Sequence, residues 1–153
     1  MGAIEIAAAT RFPPGSIPDS IRSDSVPAPL FLDAVANGTL WVVLDASRQS
    51  VGYALLRIDD GFALLAQMDV QPEHGRKGLG TALVRIVADY LRTRNMPALY
   101  LTTFTHVPWN APFYAHLGFV ALDEEEQPPF IKNIVDEERR YGLTHRIAMR
   151  LSL

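Results

Sequence analysis

The strongest sign of ligand chemistry in this chain is a basic, glycine-rich segment, Met68-Asp-Val-Gln-Pro-Glu-His-Gly-Arg-Lys-Gly-Leu-Gly-Thr81. Pro72 ends a strand because it has no N–H to donate to a sheet, and the apolar stripe that starts at Leu79 predicts a helix. Glycine lets the backbone turn and approach a ligand without a Cβ clash. Unpaired N–H groups at a helix start favour an anion, and Arg76 and Lys77 add positive charge beside them. The segment therefore predicts a phosphate or pyrophosphate site, although a tight connection with solvated basic residues has the same pattern.

Two familiar phosphate-binding loops do not fit the spacing Gly75-Arg-Lys-Gly-Leu-Gly80. A P-loop needs a Lys-Ser/Thr pair after the last glycine, and none follows Gly80. The dinucleotide fingerprint needs the order G-x-G-x-x-G at the first strand of a βαβ unit. A nucleotide-phosphate domain of another kind stays open as an alternative.

A second segment with reactive polar groups lies downstream, Asn110-Ala-Pro-Phe-Tyr-Ala-His-Leu-Gly-Phe119. Together the two segments resemble two motifs of the GNAT family of N-acetyltransferases, in the same order. Gly78 and Gly80 match the small positions of that family's acetyl-CoA loop, whereas Gly75 stands where Gln or Arg is usual. The second segment matches the family pattern Asn-x-x-x-Tyr-x-x-x-Gly-Phe. The close resemblance covers about Phe62 to Leu122.

The resemblance implies that acetyl-CoA binds as co-substrate, without a metal. It places the pyrophosphate at the glycine-rich loop and the pantetheine arm between two splayed parallel strands. Asn110 would hydrogen-bond the arm and Phe113 would pack beside it. The full set of residues implied in cofactor binding is Met68, Asp69, Val70, Gly75, Arg76, Lys77, Gly78, Leu79, Gly80, Thr81, Asn110, Phe113 and Tyr114.

Two catalytic roles follow from the same resemblance. The backbone N–H of Val70 would stabilise the thioester oxygen as it gains charge, and a preorganised donor of this kind contributes a few kcal/mol. Tyr114 would protonate the departing CoA thiolate, since the reference pKa of a phenol, about 10, exceeds that of a thiol, about 8.5. An aromatic residue that only packs on the core is the alternative for Tyr114.

The general base is not identified by the sequence. Many family members carry a glutamate near the end of the strand before the loop, where this chain has Ala66 and Gln67. Asp69 is ionisable and near the bend, but an aspartate there often hydrogen-bonds turn amides instead. An α-amine with a pKa of about 7.7–8.0 is roughly a tenth neutral at pH 7, against about one in 2,500 for a lysine amine. The missing glutamate therefore favours a low-pKa amine or a proton relayed by water.

Other polar and aromatic residues give weaker clues to the acceptor. The acidic run Asp123–Glu126 would attract a cationic amine, although a solvated acidic loop is the more common explanation of such a run. Histidines in loops are more often structural or exposed than catalytic, and this applies to His74 and His106. The aromatic residues that would wall an acceptor pocket, unless they belong to the core, are Phe104, Trp109, Phe130 and Tyr141.

The elements around these segments predict an α+β (α/β/α) fold. Its mixed, mostly antiparallel twisted sheet would have about six to seven strands, with helices on both faces and two splayed parallel strands at the centre. The predicted strands are Ala3–Ala9, Leu40–Asp45, Val51–Ile58, Phe62–Val70, Ala98–Thr103, Gly118–Leu122 and Arg146–Leu151. The predicted helices are Pro29–Asn37, Gly78–Arg92, a short one in the second motif, and Phe130–Tyr141. Asp59-Asp-Gly61 predicts a hairpin turn, and the proline-rich stretch Phe12–Pro18 predicts a loop.

Composition excludes several classes of function. The net charge of −3 and the pI near 5.7 argue against a nucleic-acid binder with a basic face. The absence of cysteine excludes disulfides, thiolate metal sites and a cysteine nucleophile. No apolar run is long enough to span a bilayer and no signal peptide is indicated, so a cytoplasmic protein is expected.

These observations predict a single N-acetyltransferase domain over residues 1–153. It would move an acetyl group from acetyl-CoA to a primary amine of a small molecule or peptide by direct transfer in a ternary complex. The alternative is a catalytically silent acyl-CoA-binding sensor or partner module. Many relatives are dimers, so a homodimer is a further expectation. The sequence does not identify the acceptor amine or show whether longer acyl groups are used.

Overall fold

One six-stranded sheet forms the centre of the protein. The computed structural model describes residues 1–23 and 25–153. The strands in chain order are β1 Leu40–Leu44, β2 Ser50–Asp59, β3 Phe62–Val70, β4 Ala98–Phe104, β5 Val120–Ala121 and β6 Arg146–Ser152. Their order in space is β1-β2-β3-β4-β6-β5, and every pair is antiparallel except β3 with β4. This confirms the predicted mixed, mostly antiparallel sheet.

Helices cover both faces of this sheet. They are α1 Gly2–Ala9, α2 Asp19–Arg22, α3 Ala28–Ala36, α4 Leu79–Arg92, α5 Asn110–His116 and α6 Pro129–Arg140, with a 3₁₀ turn at Pro72–His74. Helix α4 buries Leu83, Val87 and Leu91 against one face. Helix α6 packs on the other face through Ile131 and Val135. The predicted three-layer arrangement is therefore confirmed.

A β-bulge in β3 separates the two parallel central strands. Leu55 of β2 pairs with Gln67, but the next residue of β2, Leu56, pairs with Leu65, so Ala66 is the extra residue. Strands β3 and β4 pair only at their beginnings, where Ala63 and Leu64 lie beside residues of β4. Beyond the bulge the strands diverge, as the family resemblance implied.

The hairpin between β2 and β3 forms as predicted. Asp60 has a φ of 46° and Gly61 a φ of 80°. Positive φ at both central residues is the requirement of a type I′ turn, whose twist matches that of the strands it joins. The local Asp-Gly signal was therefore sufficient to locate this hairpin.

The prediction of a strand over Ala3–Ala9 is wrong, because this segment lies in α1. Alanine has the highest helix propensity, and the isoleucines that suggested a strand sit on different sides of the helix. Ile4 and Ala8 share one face and are buried on the sheet, whereas Ile6 is exposed. The short helix α2 was also not predicted, and the last-but-one strand is reduced to Val120–Ala121.

In the part of the chain that the structure describes, no helix is long and apolar enough to cross a membrane. The same residues include no group of three or more His, Asp or Glu side chains placed to hold a metal ion.

Candidate active site

The start of α4 has the features of an anion site. Gly78 adopts the left-handed conformation, with a φ of 80°, and caps the helix. The first helical hydrogen bond runs from the Ala82 N–H to the Gly78 carbonyl, at 2.9 Å. The preceding N–H groups, those of Leu79, Gly80 and Thr81, come before the point where helical bonding begins and are available to a ligand. No side chain caps this helix among the described residues.

A cavity of about 410 Å³ opens at this helix start and follows the gap between β3 and α5. The structure brings the predicted binding residues together along it, with the exception of the exposed Lys77. Those lining it are Met68, Asp69, Val70, Gly75, Arg76, Gly78, Leu79, Gly80, Thr81, Asn110, Phe113 and Tyr114. The two sequence motifs lie far apart in the chain but line the same cavity.

Gly80 lies in tight contact with Phe113 of the second motif. A Cβ on Gly80 would lie 3.2 Å from Cζ of Phe113 and 3.6 Å from Cε of Met68. The absence of a side chain lets the first turn of α4 approach these two residues closely. The cavity thus keeps a narrow apolar wall beside the row of free N–H groups.

The N-terminal segment supplies residues that the sequence did not point to. Ala8, Arg11 and Phe12 line the cavity, together with Trp109. The guanidinium of Arg11 approaches Gly75 so closely that a Cβ there would lie 3.3 Å from its Nη1. Gly75 is the position where the family usually has Gln or Arg, so Arg11 brings a cation to that place from another element. No spacing signal connects such distant residues.

The N–H of Val70 faces the gap between the central strands. Gln71 donates its N–H to the carbonyl of Val51, at 2.8 Å. Because hydrogen-bonding residues alternate along an antiparallel strand, the N–H of the preceding Val70 points to the opposite side, toward β4. Strand β4 has already diverged there. This donor is therefore oriented toward the cavity.

A second cavity, of about 390 Å³, lies on the other side of β3. It shares Phe12, Met68, Asp69, Asn110 and Tyr114 with the first cavity. Its remaining walls come from α1, β4, β6, α6 and the segment before α3. Two spaces that meet at one aspartate and one tyrosine can hold two molecules in contact with the same reactive groups.

Asp69 lies at this junction in a partly buried position. Nε2 of Gln67 donates a hydrogen bond of 2.7 Å to Oδ2 of Asp69, and the Tyr53 hydroxyl lies 3.4 Å from the same oxygen. Burial, helped by the negative charge of Glu5, raises the pKa of Asp69 from 3.8 to about 6, although the hydrogen bonds oppose the rise. A carboxylate with this pKa is ionised at neutral pH but binds a proton far more readily than an ordinary aspartate.

Tyr114 occupies the opposite side of the junction. Its ring packs edge-on against Phe113 and Phe119, with centroids 5.0 and 5.7 Å away. Burial and the charge of Asp69 raise the pKa of the phenol above its ordinary value of 10.0, while Arg146 opposes this rise. The hydroxyl therefore stays protonated across the physiological range and can act as a donor.

An ion pair forms part of the wall of the second cavity. Arg146 donates to both carboxylate oxygens of Glu138, at 2.7 and 3.0 Å, and to the Thr102 hydroxyl at 2.7 Å. Its guanidinium also lies over the ring of Phe104, 4.4 Å from the centroid. Bidentate and stacked contacts of this kind hold an arginine in one orientation.

The remaining candidates for acceptor binding are scattered. Phe104 lines the second cavity and Trp109 the first, but Phe130 packs in the core against Phe62, and Tyr141 is exposed. The acidic run lines neither cavity, and its Glu124 pairs with Arg139 at 3.1 Å. His74 lines the first cavity, whereas Nε2 of His106 lies 2.6 Å from the Ser16 carbonyl and lines neither.

The mixed sheet with two diverging parallel strands and the anion site at the start of α4 form one site, and comparison with known proteins identifies its family. Residues 8–119 match the model of the acetyltransferase (GNAT) family. The match spans most of the chain, so the chain belongs to the GNAT family. The resemblance seen in the two sequence motifs is thereby confirmed.

Solved structures share the fold at low sequence identity. PaiA N-acetyltransferase from Thermoplasma acidophilum, in complex with coenzyme A, has a TM-score of 0.72 at 14% identity, over 99% of this chain and 90% of that chain. Ard1 from Thermoplasma volcanium has a TM-score of 0.66 at 18% identity, over 86% and 82%. N-acetylglutamate synthase from Neisseria gonorrhoeae, complexed with coenzyme A and N-acetyl-glutamate, has a TM-score of 0.68 at 16% identity over 84% of this chain. This chain spans only 28% of that longer protein.

Proposed function

We propose that this protein is an acetyl-CoA-dependent N-acetyltransferase that acetylates a primary amine of a small molecule or peptide by direct transfer in a ternary complex. The observation that carries this proposal is the meeting of two cavities at Asp69, Asn110 and Tyr114. One cavity ends at the anion site of α4 and suits coenzyme A. The other suits the acceptor. Family membership and the coenzyme A in two of the similar structures support the choice of donor.

The residues of the first cavity fit coenzyme A. The pyrophosphate would accept hydrogen bonds from the N–H groups of Leu79, Gly80 and Thr81, with Arg76 and Arg11 neutralising its charge. Arg11 takes over the place of the side chain missing at Gly75. Met68 and Phe113 form the apolar wall for the pantetheine arm, and Asn110 offers it an amide.

When bound, acetyl-CoA supplies an activated acetyl thioester. The Val70 N–H, directed into the gap, donates a hydrogen bond to the thioester oxygen and favours the charge that develops there. Asp69 accepts the proton of the amine, for which its pKa of about 6 leaves it mostly ionised at pH 7. Tyr114 donates its proton to the sulfur as the thiolate departs. Asp69 thus fills the role of base that Ala66 and Gln67 leave open.

Calorimetric titration with acetyl-CoA tests the first half of this proposal, with CoA and ATP as controls. We expect micromolar binding of acetyl-CoA and none of ATP. A screen of primary amines by thiol release then tests turnover. Binding without turnover of any amine would instead support a silent acyl-CoA sensor, and binding of ATP in preference to acetyl-CoA would contradict both.

The setting of this activity is proposed on the same basis. Residues 1–153 would act as one N-acetyltransferase domain in the cytoplasm, without a metal and without nucleic acid or membrane as partner. The homodimer remains a prediction, because it rests only on the dimeric state of many relatives. Light scattering of the purified protein measures its mass directly, and a monomer at micromolar concentration would contradict the dimer.

A further inference from the structure

The acceptor cavity contains a buried carboxylate oxygen without a partner. Glu5 is only 7% exposed and lines the cavity from α1. Its Oε2 accepts a hydrogen bond of 2.7 Å from the N–H of Val26, but its Oε1 has no partner among the described residues. Buried polar atoms are nearly always satisfied, so an unsatisfied carboxylate oxygen beside a cavity indicates a missing partner.

Asp69 is a second carboxylate on the wall of the same cavity. The phenol of Tyr53, which is fully buried, lies between the two acids and has one proton to donate. Its hydroxyl is 3.4 Å from Oδ2 of Asp69. Burial raises the pKa of Tyr53 most, and the charges of Asp69 and Glu5 and the hydrogen bonding of the phenol with both acids raise it further. One phenol proton cannot satisfy both acids, so the pair keeps an excess of acceptors.

Among its described residues, the cavity wall offers little cationic charge to compensate these two acids. Arg146 is the single lysine or arginine among the described residues that line the second cavity. Its guanidinium is held by both oxygens of Glu138, and the side chains of this pair are 14% and 18% exposed. That ion pair is neutral overall. Glu5 and Asp69 therefore leave the cavity with excess negative charge in a place of low solvent access, where a cation is strongly favoured.

We propose that the acceptor is an amine that carries a second positive charge, such as a diamine, with Glu5 binding the distal cation while the reacting nitrogen faces Asp69. This inference rests on the proposed function, since it names the acceptor class of the same site. The competing acceptor class is an amino acid, whose carboxylate would bind Arg146. The charge balance disfavours it, because Glu138 already engages Arg146.

The transfer step balances with these groups. The bond between the nitrogen and the acetyl carbon forms while the bond between that carbon and sulfur breaks. Asp69 takes the proton that the nitrogen loses, and Tyr114 supplies the proton that the sulfur gains. Both are restored by exchange with water after release. The distal cation takes no part in the step and contributes only to binding.

Three acceptors of equal chain length separate the competing classes: 1,4-diaminobutane, butylamine and 4-aminobutanoate. They differ at the distal end, which is cationic, apolar or anionic. With saturating acetyl-CoA and thiol release as the readout, we expect kcat/KM for the diamine to exceed that for butylamine at least 10-fold, with 4-aminobutanoate the poorest. Equal rates for the diamine and butylamine, or a preference for 4-aminobutanoate, would overturn the inference and leave the proposed function standing.

Glu5→Gln tests the residue itself. The amide can still accept the Val26 N–H, so the fold is retained, but the charge is lost. We expect the ratio of kcat/KM for 1,4-diaminobutane to that for butylamine to fall about 10-fold, since any change in the pKa of Asp69 affects both amines equally. Glu137→Gln is the matched control, because this exposed residue of α6 carries the same charge and lines neither cavity. An equal loss for both amines in Glu5→Gln would overturn the inference, because it would mean that Glu5 acts through the fold or through Asp69 and does not bind the distal cation.

Calorimetry with the CoA-loaded protein gives a readout that does not need turnover. We expect 1,4-diaminobutane to bind at least 10-fold more tightly than butylamine, and Glu5→Gln to remove the difference. If no amine were acetylated, this result would still support the cation site while the proposed function failed. Equal binding of the two amines would overturn the cation site whatever the outcome for catalysis.

Discussion

Burial raises the pKa values of the two residues to which we assign proton transfer, Asp69 and Tyr114. The pKa of Asp69 rises from 3.8 to about 6, which makes its carboxylate a stronger base but leaves it ionised at neutral pH. Tyr114 has its pKa raised from an already high value, so that it remains a proton donor. The same loss of solvent thus suits the proposed base and the proposed acid, because the ordinary pKa values of the two groups lie on opposite sides of neutrality.

The pH profile of acetyl transfer should report Asp69. Only the carboxylate can accept a proton, so activity should fall as the pH falls through about 6, the pKa of Asp69. In a plot of log kcat/KM against pH, we expect the slope to be greater by about one below pH 6 than above it. Asp69→Asn should lack this break and lose about 10²-fold in kcat at pH 7.5. A variant with the wild-type break would exclude Asp69 as the base.

The ionised carboxylate of Asp69 should also lower the free energy of unfolding at neutral pH. Its pKa is higher in the folded state than the 3.8 of an ordinary aspartate, so the folded protein binds more protons between about pH 4 and 6 and loses stability as the pH rises through this window. The rise in pKa corresponds to ~3 kcal/mol. Urea unfolding of Asp69→Asn should therefore show a gain of about 2–3 kcal/mol over wild type at pH 7 that disappears near pH 4. A gain that is the same at both pH values would contradict this account.

Tyr114→Phe should separate proton donation from binding. The phenyl ring keeps its packing against Phe113 and Phe119 but has no proton to give. We expect kcat to fall about 10²-fold while the Kd for acetyl-CoA, measured by calorimetry, changes less than about 2-fold. Unchanged activity across the pH range would show that the thiolate leaves without help from this residue.

At the scale of elements, the bulge at Ala66 decides which groups face which cavity. Without it, the strict alternation of a strand would place Asp69 on the same face as Leu65, toward α4. The extra residue reverses the alternation, so Asp69 pairs with Tyr53 on the face toward α1. Met68 and Val70 turn toward α4 instead. One inserted residue thus lies where the two parallel strands diverge and places Asp69 on the face that lines the second cavity.

The left-handed N-cap of α4, Gly78, is a second local backbone feature that orients groups of the site. Gly78 has a φ of 80° with no atom near the place of a Cβ, so Gly78→Ala introduces backbone strain without a clash. We expect a loss of about 1–2 kcal/mol in the free energy of unfolding and at least a 10-fold weaker Kd for acetyl-CoA, because the N–H groups of the first turn would be redirected.

Gly61→Ala is the matched control for this change. Gly61 has the same φ of 80°, and no atom lies near the place of its Cβ either, but it belongs to the hairpin at the far end of β3. It should lose similar stability and keep its affinity for acetyl-CoA. Equal weakening of binding in both variants would attribute the effect to stability alone, which denaturant unfolding and calorimetry together can decide.

At the scale of the whole molecule, the site is completed by a segment from the start of the chain. Helix α1 and the loop after it contribute Glu5, Ala8, Arg11 and Phe12 to the two cavities. Arg22 holds this segment in place through hydrogen bonds of 3.0–3.1 Å to the carbonyls of Ala9, Phe12 and Pro13. These bonds add to the packing of the segment, in which Ile4, Ala8 and Ile17 are buried.

Removal of this clamp should loosen the wall of both cavities. Arg22→Ala loses three charge-assisted hydrogen bonds, and we expect about 1–3 kcal/mol less stability and a KM for the acceptor that rises several-fold. Arg92→Ala is the control, since its ion pair with Asp89 on α4 is exposed and worth little. The comparison uses urea unfolding and steady-state kinetics, and an Arg22→Ala variant with wild-type KM would show that the wall is held by other contacts.

The sequence by itself determined the parts of this protein that depend on local bonding. Strand β3, the glycine-rich loop, α4 and the Asp60-Gly61 turn follow from side-chain periodicity and from φ values that few residues adopt. The family motifs also indicated most of the residues that line the first cavity. The catalytic roles of Tyr114 and Val70 remain predictions, which the experiments above address.

Only the tertiary structure decided what meets those local elements in space. It showed that residues 3–9 are helical, since the buried face shared by Ile4 and Ala8 exists only once the sheet is formed. It also placed Glu5 and Arg11 beside residues far along the chain, and buried Asp69 deeply enough to raise its pKa. Proximity across the fold and loss of solvent are properties of the packed chain, and no local spacing of residue types encodes them.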